Sequence, residues 1–401
     1  MNALHVIVPA LTAVVLVGTA GQAQAPTASD LFDPQTLQEI RLSVNSRELR
    51  ALHEHYLENT YYTADLQWRN LRVRNVGIRS RGVASRSATK PAFRVDFDRY
   101  TSGQTFLGLK SLILKNLWQD GSMMHEHLAM GLLARMGQAA PRQSFCRLYV
   151  NNQYYGLYTV VESVDRDFLQ RTSNESDGYL FSFQLTEPYY GGDLGDDYPE
   201  YRRRLEPQTH ELASDAELYL PVRELLREVN QPDDAVWRER VESYVDLAQF
   251  MMQAAIENYL AEDDGLLGFA GMNNFYLYRP GGTNRHRFIP WDKDGSFLLP
   301  GYSIFQRTEE NILFRRAFGY GDLRELYLQV LEAAAQASTA DNWMETEIVR
   351  VGDLVARAVE DDSRKSFTTE AFYESVDVMR QFARQRPGIV RDQIAQFRVA
   401  R

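Results

Sequence analysis

One cysteine in 401 residues, Cys146, excludes an intrachain disulfide and any zinc site built on cysteine. It stands in the apolar run Phe145-Cys146-Arg147-Leu148-Tyr149-Val150 and reads as a buried structural thiol. Basic residues are in deficit, 44 Lys and Arg against 54 Asp and Glu, for a net charge of −10. That argues against general nucleic-acid binding, which needs a basic surface to displace counterions, and against docking on anionic membranes. Beyond the N-terminus no apolar run is long enough to span a bilayer. Gly-x-Gly-x-x-Gly, Walker A, His-Glu-x-x-His and Gly-x-Ser-x-Gly patterns are all missing, so chemistries built on them have no support. His53-Glu54-His55 and His125-Glu126-His127 space their histidines two apart, which on a helix points them to different sides.

What is present is ample apolar material, 44% hydrophobic and 12% aromatic, in a chain long enough to favour two lobes or domains. The N-terminus carries an uncharged apolar stretch, Val6 to Ala20, and then Gly21-Gln22-Ala23-Gln24-Ala25. This reads as a secretory segment over residues 1–25, with removal of about the first 23 to 25 residues and an exported, periplasmic or extracellular, mature chain. From residue 30 to 163 the signal is mostly β, interrupted by a short helix at Arg47–Leu57 and by a helix Met123–Met136 that Ser122 is placed to cap. From 164 to 401 it is mainly helical, with helices expected at Asp165–Gln170, Asp215–Val229, Asp234–Leu260, Asp322–Ala337 and Phe372–Arg384, and a last one from Pro387 to Phe397. The acidic, Tyr/Gly-rich stretch Glu187–Tyr201 lacks periodicity and reads as an exposed loop.

Inside the helical part lies a hairpin. Asn273-Asn274-Phe275-Tyr276-Leu277-Tyr278 reads as a strand, Pro280-Gly281-Gly282-Thr283-Asn284 as the turn, and Arg287 to Asp294 as the returning strand. Alternation puts Asp292 and Asp294 on one face with Lys293 on the other, and the hairpin brings Asn273 and Asn274 back beside them. Two carboxylates and an amide oxygen suit a hard cation such as Mg²⁺. The flanking apolar and aromatic residues argue for a buried hairpin rather than a solvated turn, and no neighbouring basic run supplies a partner for the acids.

Two further segments fit anion and proton chemistry. Ile78 to Lys90 links two strands and combines small residues with hydroxyls and cations, a composition that suits phosphate; a solvated basic loop is the alternative. Glu262-Asp263-Asp264-Gly265 ends a long helix just ahead of the hairpin, and Asp264 is the candidate to accept a hydroxyl proton. The alternative is a helix-terminal acidic cluster facing water.

Three ordered segments resemble the spore coat protein H kinase-like proteins, the CotH kinase family. They are Gly77–Gly82 through Ser85, Lys90 and Phe93-Arg94-Val95; Asp120–Met124 through Val150–Tyr158, Glu162 and Asp165; and Asp264-Gly265 through Asn273–Tyr278 to Phe288–Asp294. The resemblance implies an α+β, two-lobed atypical protein-kinase-like fold with a β-rich N-terminal lobe and a mainly helical C-terminal lobe. It implies ATP with Mg²⁺ or Mn²⁺, and phosphate transfer to serine of secreted or coat-type proteins. Position by position it makes Asp264 the catalytic aspartate, Asn274 and Asp292 metal ligands, and Asp294 a second ligand or support. Arg81, Ser85 and Lys90 would lie on the phosphate side, and Glu162 near the lobe junction beside the adenine. His125 stands where the family usually has arginine, Lys293 replaces a commonly apolar residue, and the long Asp264–Asn274 interval leaves Asp263 as the other match. Two rival readings stay open: a catalytically silent, kinase-shaped binding module of a cell surface or coat, and a metal-dependent hydrolase using the same carboxylates.

Overall fold

The computed structural model describes residues 25–400, so the secretory segment read over residues 1–25 lies, but for Ala25, outside the described residues. The architecture is α+β. Helix α1 (Ala28–Leu31) precedes β1 (Gln38–Val44), α2 (Ser46–Glu54), β2 (Tyr62–Trp68), β3 (Leu71–Arg81), β4 (Ala92–Asp96) and β5 (Ser111–Lys115). Helix α3 (His125–Arg135), β6 (Gln143–Val150) and β7 (Gln153–Glu162) complete the first part. The seven strands close into a barrel in the order β1-β2-β3-β4-β5-β7-β6, sealed by parallel pairing of β1 with β6.

Alternation fills the barrel. Along β1, Ile40, Leu42 and Val44 point inward between more exposed neighbours, and they join Trp68, Ile78, Phe93, Val95, Leu112, Leu114 and Leu148 in one apolar core. Trp68 Nε1 donates to Gln38 Oε1 at 2.9 Å, which satisfies both buried polar groups. Cys146 is buried in this core as the sequence suggests, and burial pushes its thiol up. Strand β5 is buried along its whole length because both of its faces are covered. Leu112 and Leu114 enter the barrel, whereas Ile113 faces outward against Tyr276, Ile289 and Trp291. By the same two-residue period Lys115 shares the Ile113 face, and it ends the strand pointing out of the barrel.

The second part runs α4 (Arg166–Ser173), β8 (Tyr179–Phe183), α5 (Tyr198–Arg204), β9 (Leu205–Pro207), α6 (Asp215–Asn230), α7 (Asp234–Glu242) and α8 (Leu247–Tyr259). It continues through β10 (Phe275–Arg279), β11 (Arg287–Pro290), α9 (Ile312–Phe318), α10 (Gly321–Thr339), α11 (Trp343–Glu360) and α12 (Thr369–Val399). The expected hairpin, β10–β11, is half of a four-stranded sheet in the order β11-β10-β8-β9. Helix α8 is apolar on almost every face and runs through the centre of the larger core.

Several expectations need correction. The single helix read over Asp234–Leu260 is two, because the segment between them pairs with the hairpin: His286 N donates to Tyr244 O at 2.7 Å and Asp246 N to His286 O at 2.9 Å. Ser122 does not cap α3. Asp120 does that work, accepting from Ser122 N, Ser122 Oγ and His125 N at 2.7–2.8 Å. Pro387 lies inside α12 rather than starting a new helix, and α11 and β8–β9 carry no expectation in the sequence reading. Residues 198–201 of the presumed exposed loop are helical, with Tyr201 fully buried.

Candidate active site

The site forms where the open end of β5, the start of α3 and the far end of the β10–β11 hairpin meet. Pairing in the hairpin stops at Phe275 and Pro290. Just beyond, Asn274 and, two residues past Pro290, Asp292 both turn into the left-handed region at φ +54° and +49°, a conformation that Asn and Asp tolerate better than most side chains. Trp291 N still donates to Asn274 O at 3.1 Å, which holds the two ends together. Asp292 and Asp294 thus line one cleft, by a backbone turn rather than by continued strand alternation.

The acids do have a basic partner, which corrects the expectation that none was available. Lys115 Nζ lies 2.6 Å from Asp292 Oδ1 and 2.6 Å from Glu126 Oε2 on α3, joining three elements at one ammonium. Burial alone would discharge this lysine, but Asp292 and Glu126 overcome it and raise its pKa. Burial likewise acts to raise the Asp292 carboxyl, and Lys115 and then Arg81 more than offset it, holding the group below its ordinary value. Arg81 and Ser85 line the same cleft, and the Arg81 guanidinium sits 5.5 Å from the centre of the Trp291 ring. Asn116, also on the cleft wall, donates to Ser85 O at 2.9 Å and Lys90 O at 2.7 Å and so fixes the loop between β3 and β4.

Asp264 is held from the hairpin side. Asn273 Nδ2 donates to Asp264 Oδ1 at 3.0 Å, and Asn274 Nδ2 donates to Asp264 Oδ2 at 2.9 Å and to its carbonyl at 3.0 Å. Burial raises the Asp264 pKa, the Asn273 hydrogen bond opposes that rise, and the nearby Asp292 charge adds to it. Asp263 faces elsewhere: it accepts from Tyr302 Oη at 2.9 Å and is ion-paired with Arg307. Beneath both loops, Lys293 Nζ pairs with Glu257 Oε1 at 2.9 Å and donates to Asn274 O at 3.1 Å. Glu262 accepts from Asp264 N at 2.8 Å and Ser296 Oγ at 2.7 Å. The departure at Lys293 therefore has a purpose, since a buried cation ties the hairpin end to α8.

Two expected residues stand apart. Lys90 does not face the cleft: it is wholly buried, with Nζ 2.7 Å from Asp362 Oδ2, so its charge is already neutralised and enclosed. Glu162 is buried under Arg142 and Arg171, whose guanidinium groups take both of its oxygens, and it does not line the cleft. His125 donates Nδ1–H to Asp294 O at 3.0 Å, so it contacts the hairpin rather than the phosphate-type loop. Sequence reasoning missed Lys115, Glu126 and Asn116. One signal was available for the first: the chain has only five lysines, and one of them ends an apolar strand.

Two carboxylates on one cleft, Asp292 and Asp294, are oxygen donors of the kind a divalent cation takes. Asp294 receives no side-chain hydrogen bond from a described residue, and its pKa is pushed well up by burial and then by Asp292. Glu126 Oε1 is buried without a partner. Among the described residues no three His, Cys, Asp or Glu side chains converge tightly enough to hold an ion; Asp292 and Asp294 line the cleft, whereas Asn274 and Asp264 are bound to each other beside it and are not among its lining residues. Acidic groups outnumber cations here, and a hard cation is the physical complement.

The CotH kinase protein family matches residues 78–390. The chain belongs to the CotH kinase family. Inner spore coat protein H of Bacillus subtilis is 23% identical over 300 residues, covering 73% of this chain and 80% of that protein. Invasin CotH3 of Rhizopus delemar is 27% identical over 205 residues, 49% of this chain but only 33% of the invasin. Among solved structures, the Helicobacter pylori proinflammatory kinase CtkA aligns over 76% of this chain and 94% of its own, at 12% identity and a TM-score of 0.35. The CotH kinase family match covers the β3–β4 loop, Lys115, Glu126, Asp264 and the whole hairpin. No helix among the described residues is long and apolar enough to cross a membrane.

Proposed function

We propose that this chain is a protein kinase-like phosphotransferase that moves the terminal phosphoryl group of ATP to serine hydroxyls of secreted or coat-type proteins, using Mg²⁺ or Mn²⁺. Its frame would be two-lobed, with residues 30–163 as the β-rich lobe and 164–401 as the mainly helical lobe. The single observation that carries the reading is the Lys115 ammonium shared between Glu126 and Asp292. A strand lysine held by a helix glutamate, beside an aspartate suited to a metal, is the arrangement by which protein kinases carry out phosphoryl transfer.

In this reading Lys115, steadied by Glu126, meets the nucleotide phosphates, with Arg81 and Ser85 on the other side of the same cleft. Lys90 and Glu162, each locked in a buried ion pair, keep the barrel and its junction rigid instead. Asn274, Asp292 and Asp294 would hold the cation, which when bound neutralises phosphate charge and orients the chain of phosphates. Asp264, clamped by two amides, accepts the proton of the acceptor hydroxyl as its oxygen bonds to the phosphorus and the bond to the leaving diphosphate breaks. Its raised pKa suits that task. Kinship with a spore coat protein and a protein named as an invasin supports a coat or surface location, reached by export.

Incubation of the mature chain with labelled ATP and Mn²⁺ or Mg²⁺ tests the reading. Label should appear on protein with wild type and vanish with Asp292→Ala. Free phosphate without labelled protein would instead indicate a hydrolase, and nucleotide binding without turnover a silent module.

A further inference from the structure

Beside the cleft lies a second, open groove of about 480 Å³, and Trp118 is common to both. Its walls are His53 from α2, Thr89 from the β3–β4 loop, Tyr155 from β7, and Arg364 and Lys365 from the linker between α11 and α12. No acidic side chain lines it. In a chain with a net charge of −10 this is a local reversal of sign.

The two cations are held but not neutralised. Arg364 Nη1 donates to Tyr154 O at 3.3 Å, and its guanidinium lies 4.5 Å from the centre of the Tyr155 ring. Lys365 Nζ donates to Asp362 O at 3.0 Å, and Glu370 acts on it only at longer range. Carbonyls and a ring fix their positions, and among the described residues no carboxylate reaches ion-pair distance of either. Asp362, the adjacent acid, is taken up entirely by the scaffold: it pairs with Lys90 at 2.7 Å and accepts from Leu157 N at 3.0 Å and Arg364 N at 2.9 Å. Gly156 makes this contact possible. Its φ is +131°, and a Cβ there would stand 2.5 Å from Asp362 Oδ2. The linker is therefore clamped to the barrel, and two uncompensated cations project from a rigid base beside the reaction cleft. Fixed cations without partners are the complement of carboxylates.

We propose that this groove docks an acidic segment of the acceptor protein: Arg364 and Lys365 grip carboxylates on one side of the acceptor serine, and the chain crosses Trp118 into the cleft. The assignment of the serine rests on the phosphotransferase reading above; the docking of an acidic segment does not.

The test is fluorescence anisotropy of labelled serine peptides with the mature chain, without ATP, comparing acidic, neutral and basic flanks. The acidic peptide should bind at least about tenfold more tightly than the other two, more weakly as salt rises, and about tenfold more weakly to Arg364→Ala/Lys365→Ala. Thermal melting controls for folding, and Arg364→Lys/Lys365→Arg should restore binding. Equal affinity for all flanks, or unchanged affinity in the double alanine variant, would overturn the proposal. So would displacement of the peptide by ATP alone, which would make the groove part of the nucleotide site. If acidic peptides bind in this residue-dependent way yet no peptide is ever labelled by ATP, the docking surface stands and the phosphotransferase reading falls.

Discussion

Lys115 at the end of β5 reaches Asp292 at the end of the β10–β11 hairpin, Nζ to Oδ1 in 2.6 Å, across 177 residues of sequence. That contact sets the barrel against the hairpin, and Glu126 closes it from α3. A cation entering between Asp292 and Asp294 must share Asp292 with this ammonium. Lys115→Met removes the competitor and the proposed phosphate contact together. Mn²⁺ affinity, read by titration calorimetry, should rise, while transfer of label from ATP should fall about a hundredfold or more. Stability without metal should drop by about 3 kcal/mol, because Glu126 is left buried, and Asp292 half-buried, without their partner. Loss of both metal binding and transfer would contradict the role given to Lys115.

Asp263 and Asp264 are adjacent in sequence and part company in space. Asp264→Asn should abolish transfer yet leave nucleotide affinity within about threefold, since the amide preserves shape while it removes the proton acceptor and one of the two amide hydrogen bonds. Asp263→Asn should keep transfer and lower the melting temperature, by about 1–3 kcal/mol of stability, as Arg307 loses its charged partner. The reverse pattern would exchange the two assignments.

The hairpin was legible in the sequence because alternation, a Pro-Gly-Gly turn and aromatic flanks are all local signals, whereas its aspartates share a cleft through a left-handed turn at Asp292 that alternation does not announce. Helices α6 and α10 were legible for the same reason, each having a periodic apolar face. Barrel closure depends on β1 pairing with β6, about a hundred residues away, and no local pattern announces it. Lys115 was hidden likewise: its meaning comes from Glu126 and Asp292, which only the fold brings to it. Arg386 is the same kind of residue. It is wholly buried in α12 and donates to the carbonyls of Asn258, Tyr259, Pro300 and Tyr302, whereas the sequence reading leaves it between two expected helices with no role.

Glu262 makes stability depend on pH. Burial raises its pKa to about 7, with Lys293 and Ser296 opposing the rise. The folded protein thus keeps a proton that the unfolded chain gives up near pH 4.5, so the contribution of this group falls as pH climbs from about 4.5 to 7 and is level above. Glu262→Gln cannot ionise. In EDTA it should match wild type near pH 4.5 and be more stable at pH 8, by a difference on the order of 3 kcal/mol. Urea unfolding at the two pH values measures this, and an equal offset at both would show that the carboxyl does not titrate there.

Lys90 and Asp362 offer a separate test of what holds the linker to the barrel. Both side chains are almost wholly inaccessible, and the pair joins the β3–β4 loop to the segment after α11. Burial works against the Lys90 charge, and Asp362 offsets this only in part, so the ammonium pKa is lowered. Lys90→Met should cost about 3–5 kcal/mol, because Asp362 would lose its cation in a dry site and keep only backbone donors. Asp362→Asn alone strands the ammonium and should cost a similar amount. Lys90→Met with Asp362→Asn leaves no buried charge, and the amide can still accept from Leu157 N or Arg364 N. The double variant should therefore recover at least half of the single-variant loss, measured by urea unfolding at neutral pH. Strictly additive losses would mean that the two side chains stabilise the fold independently, and that the clamp beneath the cationic groove is made by backbone contacts instead.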